Sequence, residues 1–448
     1  MIFSASRFVV VDDNPEHLRA ITKTFDQMGS PCLGLVFDPE QALDPQHFRG
    51  VRCLFLDLHL TGGQISTDNK AHFARIQTIL EDNISATGGP FILVMWTEHP
   101  QHRDSLIEYL DKNLEKPYSR PLAVFSLAKD RFISLTQGAV TDQNALKDSI
   151  VDSLNSSPQL AALLGWETDV LAAAGDTLGS LLALVPNDRR KISDYSSELD
   201  TVLSRLAIEA VGKPNVTADP RTAVSSALAP ILYDRILNQR VSEENDAKWK
   251  SAVSKASGDL DRPSDVEAGS VNRMLHLSLP PAEATRSTDW GCVVNWPYAW
   301  DDETLEEKLG MKIGTLLGGE FLIEKASRRD CKPVLIRIGA ACDYAQAKVG
   351  PLTYLLAFEI PEGATRKLGK DGKPRKLTDA IWKSPVFMCP GSESASRLHV
   401  HIRFPITVLE GNAKHWTPRY RVREQLLMNL ISVASSYSAR PGIVQIFA

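Results

Sequence analysis

Four apolar runs in the first 130 residues each lead to a polar residue, and this repeat constrains the fold more than any other feature of the chain. Phe8-Val-Val-Val11 is closed by Asp12 and Asp13, Leu54-Phe-Leu56 by Asp57, and Phe91-Ile-Leu-Val-Met-Trp96 by Thr97. Pro121-Leu-Ala-Val-Phe125 leads to Lys129. With helices predicted near Pro15–Met28, Asn69–Glu81 and His102–Leu114, the runs read as strands of an open parallel α/β sheet. In such a sheet the carboxyl ends of the strands gather along one edge, and ligands bind in the crevice there. Three carboxylates, a hydroxyl and an ammonium group then meet at one place, the inventory for binding Mg²⁺ and moving a phosphoryl group.

The chemistry follows from the side chains. A carboxylate can attack phosphorus and form an aspartyl phosphate. The barrier is mostly charge and alignment, so positioning and electrostatics supply the catalysis. Mg²⁺ takes oxygen ligands in an octahedron and keeps several waters. Asp12 or Asp13, together with Asp57, a backbone carbonyl near His59 and a phosphoryl oxygen, satisfies that demand. Lys129 offsets the charge on the equatorial oxygens, and Thr97 donates a hydrogen bond. The plainer role for a carboxylate at a strand end is to cap the next helix, and Asp13 or Asn14 before Pro15 suits that role. Capping does not account for all five positions together.

Taken in order, these residues resemble the pocket of a response-regulator receiver domain of two-component signalling, over residues 1–135. The resemblance implies a doubly wound, flavodoxin-like sheet of strand order 2-1-3-4-5. It implies Asp57 as phospho-acceptor, Asp12 and Asp13 as the Mg²⁺-binding acidic pair, and Thr97 and Lys129 as contacts to the phosphoryl oxygens. A partner histidine kinase is the implied phosphodonor. Several positions depart from the family pattern. The loop after Asp57 reads Leu58-His-Leu-Thr-Gly-Gly63, Glu98 stands where a small residue is usual, and Asp130 follows the lysine. Ser126 occupies the aromatic-switch position, with Phe125 one residue off.

Beyond the receiver the pattern turns helical, and residues 136–250 are read as a docking or dimerisation segment. Thr141–Leu154 either completes the receiver or opens this segment. Trp166, Val170, Ala174, Leu178, Leu181 and Leu182 recur at helical spacing, as do Leu199, Val202, Leu203, Leu206 and Ala210. Such stripes read first as core between helices. A third helix starts at Asp219-Pro220, and Pro230 predicts a kink in it. Residues 251–270 are polar and read as a linker.

From 271 to 448 the pattern is strand-like, which predicts a β-rich α+β domain. Phe321-Leu-Ile-Glu324, Val334–Ile338, Tyr354–Ile360 and Leu398–Phe404 are the expected strands. The last alternates, setting His399, His401 and Arg403 on the face opposite Leu398, Val400 and Ile402. An amphipathic helix follows over Arg421–Tyr437, then a short strand at Ile443–Phe447. Cys342-Asp343, just past a strand, is either a thiol nucleophile with a neighbouring acid or a close-packed turn. A catalytic thiol needs a base, and His399, His401 and His415 are the downstream candidates. Zinc binding by Cys331, Cys342, Cys389 and a histidine lacks finger-like ligand spacing. The whole is thus a multidomain α/β chain.

Composition narrows the partners. A net charge of −5 over 448 residues and a pI near 6.1 give no basic face for nucleic acid. No apolar stretch is long enough to span a bilayer, and the amino-terminal residues lack the pattern of a signal peptide. The six cysteines show no CxxC pairing and suit a reducing, cytoplasmic setting. No histidine lies between His102 and His276, which argues against a phosphotransfer helix. The domain order also resembles the receiver-bearing components of bacterial anti-phage two-component systems of the Detocs kind. The resemblance implies a phosphate sink or relay acting beside an effector protein. The alternative is a phosphorylation-gated enzyme whose active site lies in the carboxyl-terminal domain.

Overall fold

A computed structural model describes residues 6–60, 69–134, 140–239, 243–279 and 285–440. The chain divides into two compact units, Met1–Leu181 with Ile231–Leu260, and Leu182–Pro230 with Asp261–Ala448.

The first unit is built on five parallel strands, β1 (Phe8–Asp12), β2 (Cys32–Val36), β3 (Cys53–Leu56), β4 (Ile92–Thr97) and β5 (Val124–Ala128). Their order is β2-β1-β3-β4-β5, the expected flavodoxin-like arrangement. Helices α1 (Pro15–Gln27), α2 (Asn69–Asn83), α3 (Arg103–Asn113), the short α4 (Lys129–Phe132) and α5 (Gln143–Asn155) follow the strands. Between β2 and β3 there is only a 3₁₀ turn, Pro45–Phe48, and Phe48 plugs the core in place of a helix. Side-chain alternation sorts the strands between two cores. Val9, Val11, Leu54, Leu56, Leu93 and Met95 pack with α2 and α3. Val10, Phe55, Ile92, Val94 and Trp96 pack with Leu18, Ile21 and Phe25 of α1 and Leu146 and Ile150 of α5. Helix α5 therefore completes this sheet rather than opening the next region.

Helix α6 (Pro158–Ala183) follows, then α7 (Tyr195–Val211), α8 (Lys213–Ala218), α9 (Pro220–Leu237), α10 (Glu243–Ala252) and α11 (Asp265–His276). The middle of the chain is helical, as expected, but of the stripe on α6 only Leu181 is fully buried. Trp166 is 49% exposed and Leu178 56%, while the buried positions are Leu160, Ala162, Ala173, Thr177 and Leu181. Leu and Ala lie nearly all round this helix, so periodicity alone does not select the docking face. The α7 residues are half-buried around Ala207 and Val211, and α9 continues through Pro230. The polar stretch expected as linker, 251–270, holds the first half of α11, which opens on a capping box. Ser264 Oγ accepts from the Glu267 amide, and the Glu267 carboxylate accepts from the Ser264 amide.

The second unit carries a seven-stranded antiparallel sheet of order β10-β11-β9-β8-β7-β12-β6 among the described residues. In chain order it contains β6 (Leu277–Ser278), β7 (Cys292–Asn295), α12 (Asp302–Leu309), α13 (Ile313–Thr315), β8 (Lys332–Ile338), α14 (Ala341–Ala345) and β9 (Pro351–Pro361). Then come β10 (Ile381–Phe387), β11 (Ser396–Leu409), α15 (Glu410–Ala413), β12 (Pro418–Val422) and α16 (Glu424–Ser438). Helix α16 covers one face through Leu426, Leu427 and Leu430. The other face packs on Leu305, Leu316, Leu317 and Phe321. His399 and His401 are buried, at 1% and 0% exposure, and His401 packs against Phe321 of the covering layer. Phe321-Leu-Ile-Glu324 is not a strand. It leaves a π-helical turn, Leu316–Glu320, and Leu322 has φ +57°, which breaks an extended run. Arg421 and Val422 belong to β12, so the terminal helix starts three residues later than expected. The strand expected at Ile443–Phe447 lies outside the described residues. Among the described residues no helix is long and apolar enough to cross a membrane.

Candidate metal centre at the carboxyl edge of the parallel sheet

Each expected site residue sits at a strand end. Asp12 ends β1 and Thr97 ends β4, both fully buried. Asp57 follows β3 at 7% exposure, with its amide donating to the Val11 carbonyl at 3.1 Å. Lys129 follows β5 at 2% exposure. Local chemistry fixes the first corner. Asp12 Oδ1 accepts from the Asn14 amide (2.8 Å), and Asn14 caps α1 by accepting from the Glu16 amide (2.9 Å). Helix α1 then lies so close over β2 that a Cβ at Gly34 would collide with Leu18.

Lys129 ties the edge together. Its Nζ lies 2.8 Å from Asp12 Oδ2 and 2.9 Å from Asp57 Oδ2. It also lies 3.3 Å from His17 Nδ1. An ammonium group only donates, so His17 accepts through Nδ1, and its buried Nε2 has no partner among the described residues. Thr97 Oγ1 accepts from the His99 amide at 3.1 Å, leaving its own hydrogen to donate elsewhere.

Charge is out of balance here. Burial acts to lower the Lys129 pKa, but Asp57 and Asp12 outweigh it and hold the ammonium above its ordinary value. Burial pushes Asp12 upward, Asp57 adds to that, and Lys129 only partly opposes it. One lysine does not neutralise the acidic group. One carboxylate oxygen each from Asp12, Asp13 and Asp57 lies within 4.8 Å of the others. An all-oxygen donor set with surplus negative charge fits a hard divalent cation. Among the described residues no other group of three or more such ligands converges this way, so Cys331, Cys342 and Cys389 do not assemble a zinc site.

His59, whose carbonyl the sequence reading adds to the ligands, stands two residues past Asp57. Its ring packs edge-on to His72 (centroids 4.5 Å apart) and His99 (5.0 Å), and His99 lies 6.0 Å from His102. Burial lowers the His59 and His72 pKa values; neighbouring cationic groups add to this, and Asp57 opposes it. The sequence reading missed this cluster. The signal was available, because His59 and His99 each stand within three residues of a strand end, where the same edge argument applies. Glu98 is exposed beside Thr97. Phe125 packs toward α1 and α5, so Ser126, next along the strand, faces the other way.

The Cys342-Asp343 pair lies on α14. Cys342 is exposed and its Sγ is 3.7 Å from Asp343 Oδ1. Asp343 is paired with Lys348 at 2.7 Å, which holds its carboxyl below the usual range and weakens it as a base. No imidazole joins the hydrogen bonds described for the pair. Nor is the pair a close-packed turn, since Cys342 is exposed and Asp343 lies within α14 rather than at its cap.

Comparison with known protein families, curated proteins and solved structures finds no match for this chain. The first unit is a flavodoxin-like parallel sheet with a buried acidic cluster suited to a divalent metal.

Proposed function

We propose that the first unit is a response-regulator receiver domain and that Asp57 accepts a phosphoryl group from a partner histidine kinase in the cytoplasm. The supporting observation is the buried Lys129 ammonium bridging Asp12 and Asp57 beside an acidic cluster it does not neutralise. A carboxylate oxygen of Asp57 attacks phosphorus. The O–P bond forms as the N–P bond of the phosphohistidine breaks, and the departing imidazole nitrogen takes a proton from solvent. Lys129 turns from the Asp57 carboxylate to a phosphoryl oxygen, and the free hydrogen of Thr97 donates to another. A divalent cation, Mg²⁺ in this reading, supplies charge neutralisation when held by Asp12, Asp13, Asp57 and the His59 carbonyl.

The pathway we propose is anti-phage defence, in which this chain is a phosphate sink or signal relay for a separate effector protein. The order of receiver, helical segment and β-rich domain supports that placement. The helical segment is the surface for docking or homodimer formation, and α6 presents exposed Trp166, Leu171 and Leu178 for it. The test is intact-mass measurement of the purified chain after incubation with Mg²⁺ and a small phosphodonor or the cognate kinase. A phosphoryl adduct is expected, absent from Asp57→Ala and from samples with chelator. No adduct from any donor, with the domain folded, overturns the proposal.

A further inference from the structure

The second unit holds a cationic recess of about 420 Å³ on one face of β9–β11, within the size range of small-molecule sites. Lys383 and His399 stand directly opposite each other in the β10–β11 pairing. Arg397 lies two residues from His399 on the same face, opposite Ile360 of β9. Arg366 reaches in from the excursion between β9 and β10, where its backbone bridges to Ile323.

The recess is short of negative charge. Arg397 is paired with Glu362 at 2.6 Å. Among the described residues, Arg366 and Lys383 have no carboxylate at ion-pair distance, and Arg366 contacts His399, Nη2 to Nε2 at 3.5 Å. Burial, Arg366, Lys383 and Arg397 together hold the His399 pKa down to about 3, so the ring is uncharged near neutrality. Three cations and one carboxylate leave two positive charges unmet.

His399 carries a hydrogen-bond conflict as well. Its Nδ1 is buried without a partner among the described residues. If Nε2 accepts from Arg366, the ring proton sits on Nδ1 and is orphaned. If the proton sits on Nε2, both it and the guanidinium point at each other with no acceptor. An anion in the recess removes the donor clash, since Nε2–H and Arg366 both donate to it, and leaves at Nδ1 a lone pair in place of an orphaned proton. Buried donors without acceptors are costly enough to mark a missing partner.

We propose that this recess binds a phosphate dianion, as inorganic phosphate or as the terminal group of a phosphomonoester, through Arg366, Lys383, Arg397 and His399. Two unmet charges match a dianion, and guanidinium forks suit tetrahedral oxyanions. A monoanionic carboxylate leaves one charge unmet.

The test is calorimetric titration of the full chain with inorganic phosphate at fixed ionic strength, in chelator so that the Asp57 site holds no metal. Saturable one-to-one binding is expected, unchanged in Asp57→Ala and weakened at least tenfold in Arg366→Ala and in Lys383→Glu. Lys383 is exposed, so its charge reversal reports on binding without threatening the core, and melting curves check both variants. Glycerol 3-phosphate binding more tightly than inorganic phosphate assigns the recess to phosphomonoesters; the reverse order assigns it to free phosphate. Absence of saturable phosphate binding overturns the inference. So does wild-type affinity in a folded Lys383→Glu protein, or acetate binding as tightly as phosphate.

Discussion

The two sheets handle buried charge in opposite ways. In the parallel sheet the strands are apolar on both faces, and charge is confined to their ends, where the Asp12, Asp13 and Asp57 carboxylates crowd one ammonium group. In the antiparallel sheet polar residues lie within the strands and are mostly matched one to one. Glu359, 2% exposed, takes Arg419 in a two-pronged pair at 3.0 and 2.9 Å, and His401 meets Glu320 at 2.9 Å. A matched pair is self-sufficient. An unmatched cluster calls for an outside ion or group, and that distinction separates structural from functional polarity here.

Breaking a pair in each sheet should sharpen the contrast. Lys129→Met leaves Asp12 and Asp57 buried without a counter-ion and should cost about 4 kcal/mol in chelator. Arg419→Met should cost about 3 kcal/mol by leaving Glu359 alone. Mg²⁺ should restore part of the loss in the first variant and none in the second, as read by chemical denaturation. Divalent cation itself should stabilise the wild-type first unit by about 2.7 kcal/mol at a hundredfold excess over its dissociation constant. Asp13→Asn and Asp57→Asn should reduce that gain, and stabilisation of the Asp57→Asn protein equal to wild type would break the assignment.

A pH response belongs to the second sheet. His399 has a folded pKa of about 3, against an ordinary value of 6.5. Between those values the unfolded chain binds the extra proton, so this group makes stability fall as pH drops from about 6.5 toward 3. His399→Gln should flatten that part of the melting-temperature profile, and an unchanged slope would place the acid sensitivity elsewhere. The smallest expected effect is that of Cys342→Ala, within about 0.5 kcal/mol of wild type and without consequence for phosphoryl transfer.

Four strands of the parallel sheet were legible because each is an apolar run leading to a polar residue, and strand ends share one edge; β2, interrupted by Gly34 and followed by Phe37, carries no such stop. The five pocket positions follow from that rule, and so does the neighbourhood of His59 and His99, had the rule been applied to side chains just past the stops. The antiparallel sheet was legible in β8, β9 and β11 but not in its burial. Alternation set His399 and His401 on one face but gave no sign of the second layer, built from Leu305, Leu316 and Phe321, whose Phe321 ring packs on His401. That layer comes from the short helix α12 and a π-helical turn, segments too short for hydrophobic periodicity to mark. Helix α11 hid inside a polar stretch although Ser264-Asp-Val-Glu267 spells its capping box. The stripe on α6 misled for the opposite reason, because an apolar helix has no unique face.

The most direct test of the central claim is to locate the phosphoryl group chemically. Protein treated with phosphodonor and Mg²⁺ would be reduced with borohydride, which converts an aspartyl phosphate to homoserine, and then mapped by peptide mass spectrometry. The account predicts homoserine at position 57, dependent on divalent cation and on Lys129. Modification at another residue, or none in a folded protein with metal bound, would contradict it.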